Sequence, residues 1–102
     1  MVRVVEEERR RAAREALVDR EWRGKTHGYG IKVSKELLTA AVEQPDLALA
    51  RHLNGCTFLL QTMAAGDTKA VGVLLSLVNA PAQVAVRESG GWTALHYAVF
   101  ND

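Results

Sequence analysis

The hydrophobic and polar positions of the chain follow two different patterns. Over residues 4–23 the sequence is rich in Glu, Arg, Ala and Leu and lacks Gly and Pro, which favours one helix. Glu6 with Arg10 and Glu7 with Arg11 stand four apart in the favourable order, each pair contributing about 0.3 kcal/mol. Val5, Ala12, Ala16 and Leu17 form a narrow stripe, mostly alanine, so this helix buries little and is expected to lean on another part of the chain. Gly24, Gly28 and Gly30 break the pattern, predicting a loop around His27 and Tyr29 that reaches Val33.

From Ser34 onward the apolar residues recur in short clusters between turn residues, with no alternating run long enough for a strand. Ser34 suits the cap of a helix from Lys35 to about Glu43, and Pro45 suits the first turn of another through about Leu53. Asn54-Gly55 supplies a turn with positive φ. Thr57 then caps a helix from Phe58 to about Ala65, Gly66 closes it, and Asp67 caps a further one from Thr68 to about Val78. Residues 79–91 read as loop, punctuated by Pro81 and Gly90-Gly91, and Thr93 starts a last helix. The fold class expected is all-α: a charged helix over 1–25, a glycine-containing loop over 26–33, and helical units over 34–102. Gly72 lies inside a helix, at a cost of about 1 kcal/mol relative to alanine, for close contact or through simple tolerance.

The helical units repeat. Asn54-Gly55-Cys56-Thr57 aligns with Gly90-Gly91-Trp92-Thr93 at a spacing of 36 residues, which also superposes Leu59 on Leu95. The segment Gly91-Trp92-Thr93-Ala94-Leu95-His96-Tyr97-Ala98 resembles the ankyrin repeat signature, Gly-x-Thr-Pro-Leu-His-x-Ala, departing only at Ala94. Gly55, Thr57, Leu59, Gly66, Val71 and Val73-Leu74-Leu75 fall at the same family's spacing, with Phe58, Leu60 and Thr62 as departures. Leu37, Ala40, Ala41, Leu49 and Leu53 fit a degenerate first unit. The resemblance implies stacked helix-turn-helix repeats: a degenerate unit over 34–53, a full one over 54–89, and the first helix of another over 90–102. It also implies loops projecting to one side, and a hydrogen bond between His96 and Thr93. Because neighbouring interfaces stabilise such stacks, the array is expected to be a fragment or to continue past Asp102, with Leu95, Ala98 and Val99 half covered and the N-terminal helix as a terminal cap.

Charge is distributed unevenly. Residues 1–25 hold eight basic and six acidic side chains, and the remaining 77 residues hold five and six, for a net charge of +1. That balance argues against nucleic acid as partner, and Glu6, Glu7, Glu8 and Glu15 dilute the field of Arg9, Arg10, Arg11 and Arg14. The N-terminus opens with charges, and no apolar run is long enough to span a bilayer. The one cysteine, Cys56, cannot form an internal disulfide, which suits a reducing, intracellular compartment, the cytoplasm first and the nucleus left open.

No catalytic, cofactor or metal site is expected. His27, His52 and His96 lie in a loop and two helices without metal-ligand spacing, Cys56 has no activating base nearby, and Gly28-Tyr29-Gly30 lacks the rest of a phosphate-binding loop. The resemblance implies instead a noncatalytic scaffold that binds another protein through repeat loop tips and a concave helix face. An alternative is the N-terminal regulatory part of a larger enzyme or signalling protein, and a third is a nucleic-acid binder using the arginine-rich helix. Trp92, at the variable position of a projecting loop, is the expected anchor, since tryptophan is frequent at binding hot spots; the alternative is that it packs on a following repeat. Cys56 is its counterpart, Phe58 lies nearby, and Arg87, Glu88 and Ser89 occupy the preceding loop tip. Trp22 is expected to dock the charged helix on the repeats.

Overall fold

Side-chain caps set where the central helices begin. Ser34 accepts from the Leu37 amide at 3.1 Å and opens α2 (Lys35–Glu43). Thr57 accepts from the Leu60 amide at the start of α3 (Phe58–Ala65), and Asp67 from the Ala70 amide at the start of α4 (Thr68–Leu75). Each satisfies an amide that the helix leaves without an internal partner. Gly66 ends α3 in the left-handed region, at φ 73°, where its N–H reaches Met63 and Thr62 carbonyls.

The computed structural model describes residues 2–25 and 32–101, which are all-helical with no strand among them. His27, Gly28, Tyr29 and Gly30, and so most of the predicted glycine loop, lie outside the described residues. The chain opens with α1 (Val2–Val18), prolonged by a wider π-type turn, Asp19–Arg23, and stopped at Gly24. α6 (Ala94–Asn101) closes the described region.

Three boundaries differ from the sequence reading. After Pro45 the chain makes only a 3₁₀ turn, Pro45–Leu49, and becomes extended at Ala50. The amide of His52 bonds the Cys56 carbonyl at 3.1 Å, so these residues form a tight hairpin and leave Leu53 exposed. Residues 79–91 are not all loop, because Pro81 lies in the first turn of the short helix α5 (Ala80–Ala85), where its fixed φ costs nothing. α4 ends at Leu75, and the Ser76 hydroxyl turns back onto the Val73 carbonyl at 2.6 Å.

Local geometry recurs at the 36-residue spacing. His52–Cys56 and Glu88–Trp92 form the same turn: residue 52 or 88 donates to 56 or 92, and Gly55 or Gly91, at φ 86° and 85°, donates back to 52 or 88. Ala50 and Val86, 36 apart, share φ near −65° and ψ 135° as the chain leaves Pro45–Leu49 and α5. Leu47 and Gln83 are the matching buried positions.

α3 sits at the centre, packed on α4 and α6, while α2 packs on α4 and α1. Leu37, Leu47, Phe58, Leu59, Leu60 and Leu74 fill the core between them. Of the predicted stripe only Leu17 meets this core, together with Val18 and Trp22, while Val5, Ala12 and Ala16 are exposed. Trp22 is buried, stands edge-on to Phe58 with ring centroids 4.9 Å apart, and donates its indole N–H to the Ala50 carbonyl at 2.9 Å. Arg14, placed in the arginine cluster by sequence, bonds Glu43 at 3.2 Å and Gln44 at 3.0 Å and so ties α1 to α2. Glu7 pairs with Arg14 at 3.2 Å across two helical turns. No described helix is long and apolar enough to cross a membrane.

Candidate functional site

The two hairpins lie side by side, and the second carries most of the residues singled out by sequence. Ser89 N–H bonds the Asn54 carbonyl at 3.3 Å, and the Arg51 guanidinium bonds the Arg87 carbonyl at 3.1 Å, joining the tips. Arg87 also reaches the Gly91 carbonyl at 3.1 Å across its own turn. Arg87 and Ser89 are exposed, and Glu88 is half-buried.

Glu88 organises the turn. Its Oε1 accepts from the Gly90 amide at 2.9 Å and the Trp92 amide at 3.4 Å, while its Oε2 accepts the Tyr97 hydroxyl at 2.7 Å and faces the Cys56 thiol at 3.8 Å. Burial alone pushes this carboxyl up, but the donors from Tyr97, Trp92, Gly90 and Cys56 outweigh it and hold the pKa below its ordinary value. The same arrangement works oppositely on its neighbours. Burial, and then the charge of Glu88, raise the Cys56 thiol to about 11. Burial and the bond to Glu88 also raise the Tyr97 phenol. A thiol with a raised pKa is a poor nucleophile at neutral pH.

Two residues proposed for partner contact lie elsewhere than the sequence suggests. Cys56 and Phe58 are buried: the first hairpin folds Cys56 against Glu88, and the aromatic ring of Phe58, at the first helical position of α3, packs on Trp22. They belong to the core and offer no surface for docking. The counterpart position in the second hairpin behaves differently, because Trp92 retains 37% exposure while its ring leans on Tyr97 at 5.1 Å and His96 at 5.8 Å.

Trp92 forms one wall of an open groove of about 710 Å³ between α5 and α6, lined by Val84, Ala85, Arg87, Thr93, Leu95, His96 and Val99. Leu95 and Val99 stand 69% and 78% exposed, and α6 meets α3 through Ala94 and Tyr97 instead. No Asp, Glu, Lys or Arg occurs over residues 70–86 or 89–101, so Arg87 supplies the single charged side chain of the lining. His96 orders the wall: its Nδ1 accepts the Thr93 amide at 3.0 Å, with the Thr93 hydroxyl 2.9 Å away.

Among the described residues no group of three or more His, Cys, Asp or Glu side chains is placed to hold a metal. His52 and His96 lie apart, the first buried beside Trp22 and the second exposed at the groove. The sequence reading missed Tyr97 as the partner of Glu88; the nine-residue separation gives no local cue, and only the return of α6 beneath the hairpin brings them together. It also missed Gln83, buried in α5 and donating to the Leu74 carbonyl and the Asn79 side chain at 2.9 Å each. Comparison with known proteins finds no match: no protein-family model, curated sequence or solved structure aligns significantly with the chain.

Proposed function

We propose that this chain is a noncatalytic protein-binding module built of ankyrin-like helical repeats, which holds a protein partner at the second hairpin and the adjoining face of α6. The observation that carries this reading is the groove formed by Trp92, Val84, Leu95 and Val99, an uncharged apolar surface with Arg87 at its edge. A contiguous exposed apolar surface with a half-buried tryptophan suits protein contact better than phosphate or a charged headgroup. The repeat reading draws support from the paired hairpins 36 residues apart, each followed by a threonine and an eight-residue helix, and from the bond between His96 and Thr93.

The test immobilises the full chain and compares it with Trp92→Ala, Leu95→Glu and Val99→Glu. Leu95 and Val99 are exposed, so their substitution should change folding stability by about 0.5 kcal/mol or less. Proteins retained by the unaltered chain and lost from both glutamate variants, at unchanged melting temperature, meet the expectation. Trp92→Ala should weaken a purified partner by about tenfold or more. Equal retention by all four chains would sink the reading.

A further inference from the structure

His52 is 3% exposed and sits where the end of the N-terminal helix meets the first hairpin. Its ring lies 5.0 Å from that of Trp22, whose indole N–H is held by the Ala50 carbonyl two residues away. The next residue, Leu53, donates its amide to the Lys25 carbonyl at 2.9 Å. Residues 50–53 are therefore the dock for residues 22–25, and His52 stands in the middle of it.

Hydrogen bonding fixes the state of the imidazole. Nδ1 accepts the Asn54 amide at 2.9 Å, so it carries no proton, and the hydrogen belongs on Nε2. Nε2 is buried and has no hydrogen-bond partner among the described residues. A second proton would have to enter at Nδ1, where it would point at the Asn54 N–H, donor against donor. An imidazolium in this position would thus lose the bond from the Asn54 amide, keeping only its own backbone carbonyl as an acceptor, in a site closed to water. A buried charge so placed is costly enough to displace the group or its surroundings.

We infer that His52 is a proton-operated latch: as the neutral imidazole it holds the Trp22 end of the N-terminal helix on the helical stack, and on taking a proton at Nδ1 it releases that end. Among the groups around it, Cys56 contributes a thiol from the same hairpin, and Glu88 faces it from the second hairpin. The backbone carbonyl of His52, and then the charge of Glu88, favour the protonated form, but this carboxylate is already engaged by Tyr97, Gly90 and Trp92. On the helical side Arg23 is paired with Glu15 and Asp19, and Arg20 with Glu21. Burial is the largest influence and lowers the His52 pKa from 6.5, so release falls on the acid side of that value. The sign is consistent: a depressed folded pKa gives docking that is complete above pH 6.5 and lost as pH falls through the folded value.

The test uses the full chain carrying Trp92→Phe, so that Trp22 is the sole tryptophan emitter, titrated from about pH 8 to pH 5 across the ordinary histidine range while far-ultraviolet circular dichroism follows the helices. Trp22 emission should move to the red in one step while most helical signal remains. The step should vanish when His52→Asn is added, because an asparagine oxygen can accept the amide two residues on and does not titrate. Constant emission down to the lowest pH, a step that survives His52→Asn, or a step that coincides with loss of helix would each overturn the latch. Should the asparagine variant not fold, nuclear magnetic resonance of the unaltered chain decides. The His52 ring protons and the Trp22 indole N–H must then titrate with one midpoint, and separate midpoints reject the proposal.

Discussion

The hydroxyl of Tyr97 donates to Glu88 Oε2 at 2.7 Å, joining α6 to the turn that precedes it. The remaining oxygen of the same carboxylate accepts two amides of the hairpin, so one side chain holds both the shape of the tip and the helix beneath it. Tyr97→Phe should therefore destabilise the chain by about 1–2 kcal/mol at pH 7, since a hydrogen bond to a charged group is lost. The Glu88 pKa is depressed in the folded chain, so its contribution is present above the ordinary value of 4.5 and disappears as pH falls through the folded value. Urea unfolding of both chains at neutral and strongly acid pH checks this, and the gap between them should narrow in acid.

The hairpin glycines predict an unequal pair of substitutions. Gly55 and Gly91 both adopt positive φ, which costs a side chain about 1–2 kcal/mol. A methyl group at Gly55 would also meet Ser89 Oγ at 2.9 Å and its backbone nitrogen at 3.0 Å, whereas at Gly91 it would meet nothing within 4 Å. Gly55→Ala should lower the melting temperature more than Gly91→Ala. Equal effects would place the whole cost in the backbone angle.

Gly72 is the opposite case. It lies within α4, at ordinary helical angles, with nothing within 4 Å of an added methyl group, which settles its presence as tolerance instead of close packing. Gly72→Ala should stabilise the chain by about 0.5–1 kcal/mol, measured by chemical denaturation, through helix propensity and a less free unfolded chain.

Alkaline pH should destabilise the chain through the buried thiol as well as the phenol. The folded Cys56 pKa lies at about 11 against an ordinary 9.0, so the neutral thiol's contribution is complete below about pH 9 and lost as pH rises through the folded value. Cys56→Ala should flatten the fall in melting temperature between about pH 9 and pH 11, leaving the part due to Tyr97.

The helix starts at Ser34, Thr57 and Asp67 were legible because a capping side chain acts within three residues of itself, and Gly66 was legible as a stop for the same reason. The short helix α5 was hidden because Asn79 makes no side-chain cap bond and Pro81 reads equally as loop punctuation. Helix was extended too far after Pro45 because hairpin bonds from His52 to Cys56 override local preference. Trp92 was recognisable at the tip from its place between glycine and threonine. Cys56, at the matching place, gave no sign that the second hairpin would close over it. Glu88 read as a loop-tip charge, and its role as hub depends on Tyr97 arriving from α6.

Two segments as alike as residues 45–56 and 81–92 could exchange places while the chain is folding. Leu47 and Gln83 disfavour it, since the pocket that receives Gln83 offers the Leu74 carbonyl and the Asn79 amide oxygen, and Asn79 in turn donates to the Pro45 carbonyl at 2.7 Å. Leucine placed there would strand those acceptors, and glutamine in the site of Leu47 would bring a polar amide into the hydrophobic core. A single amide thus gives each half of the chain its own address.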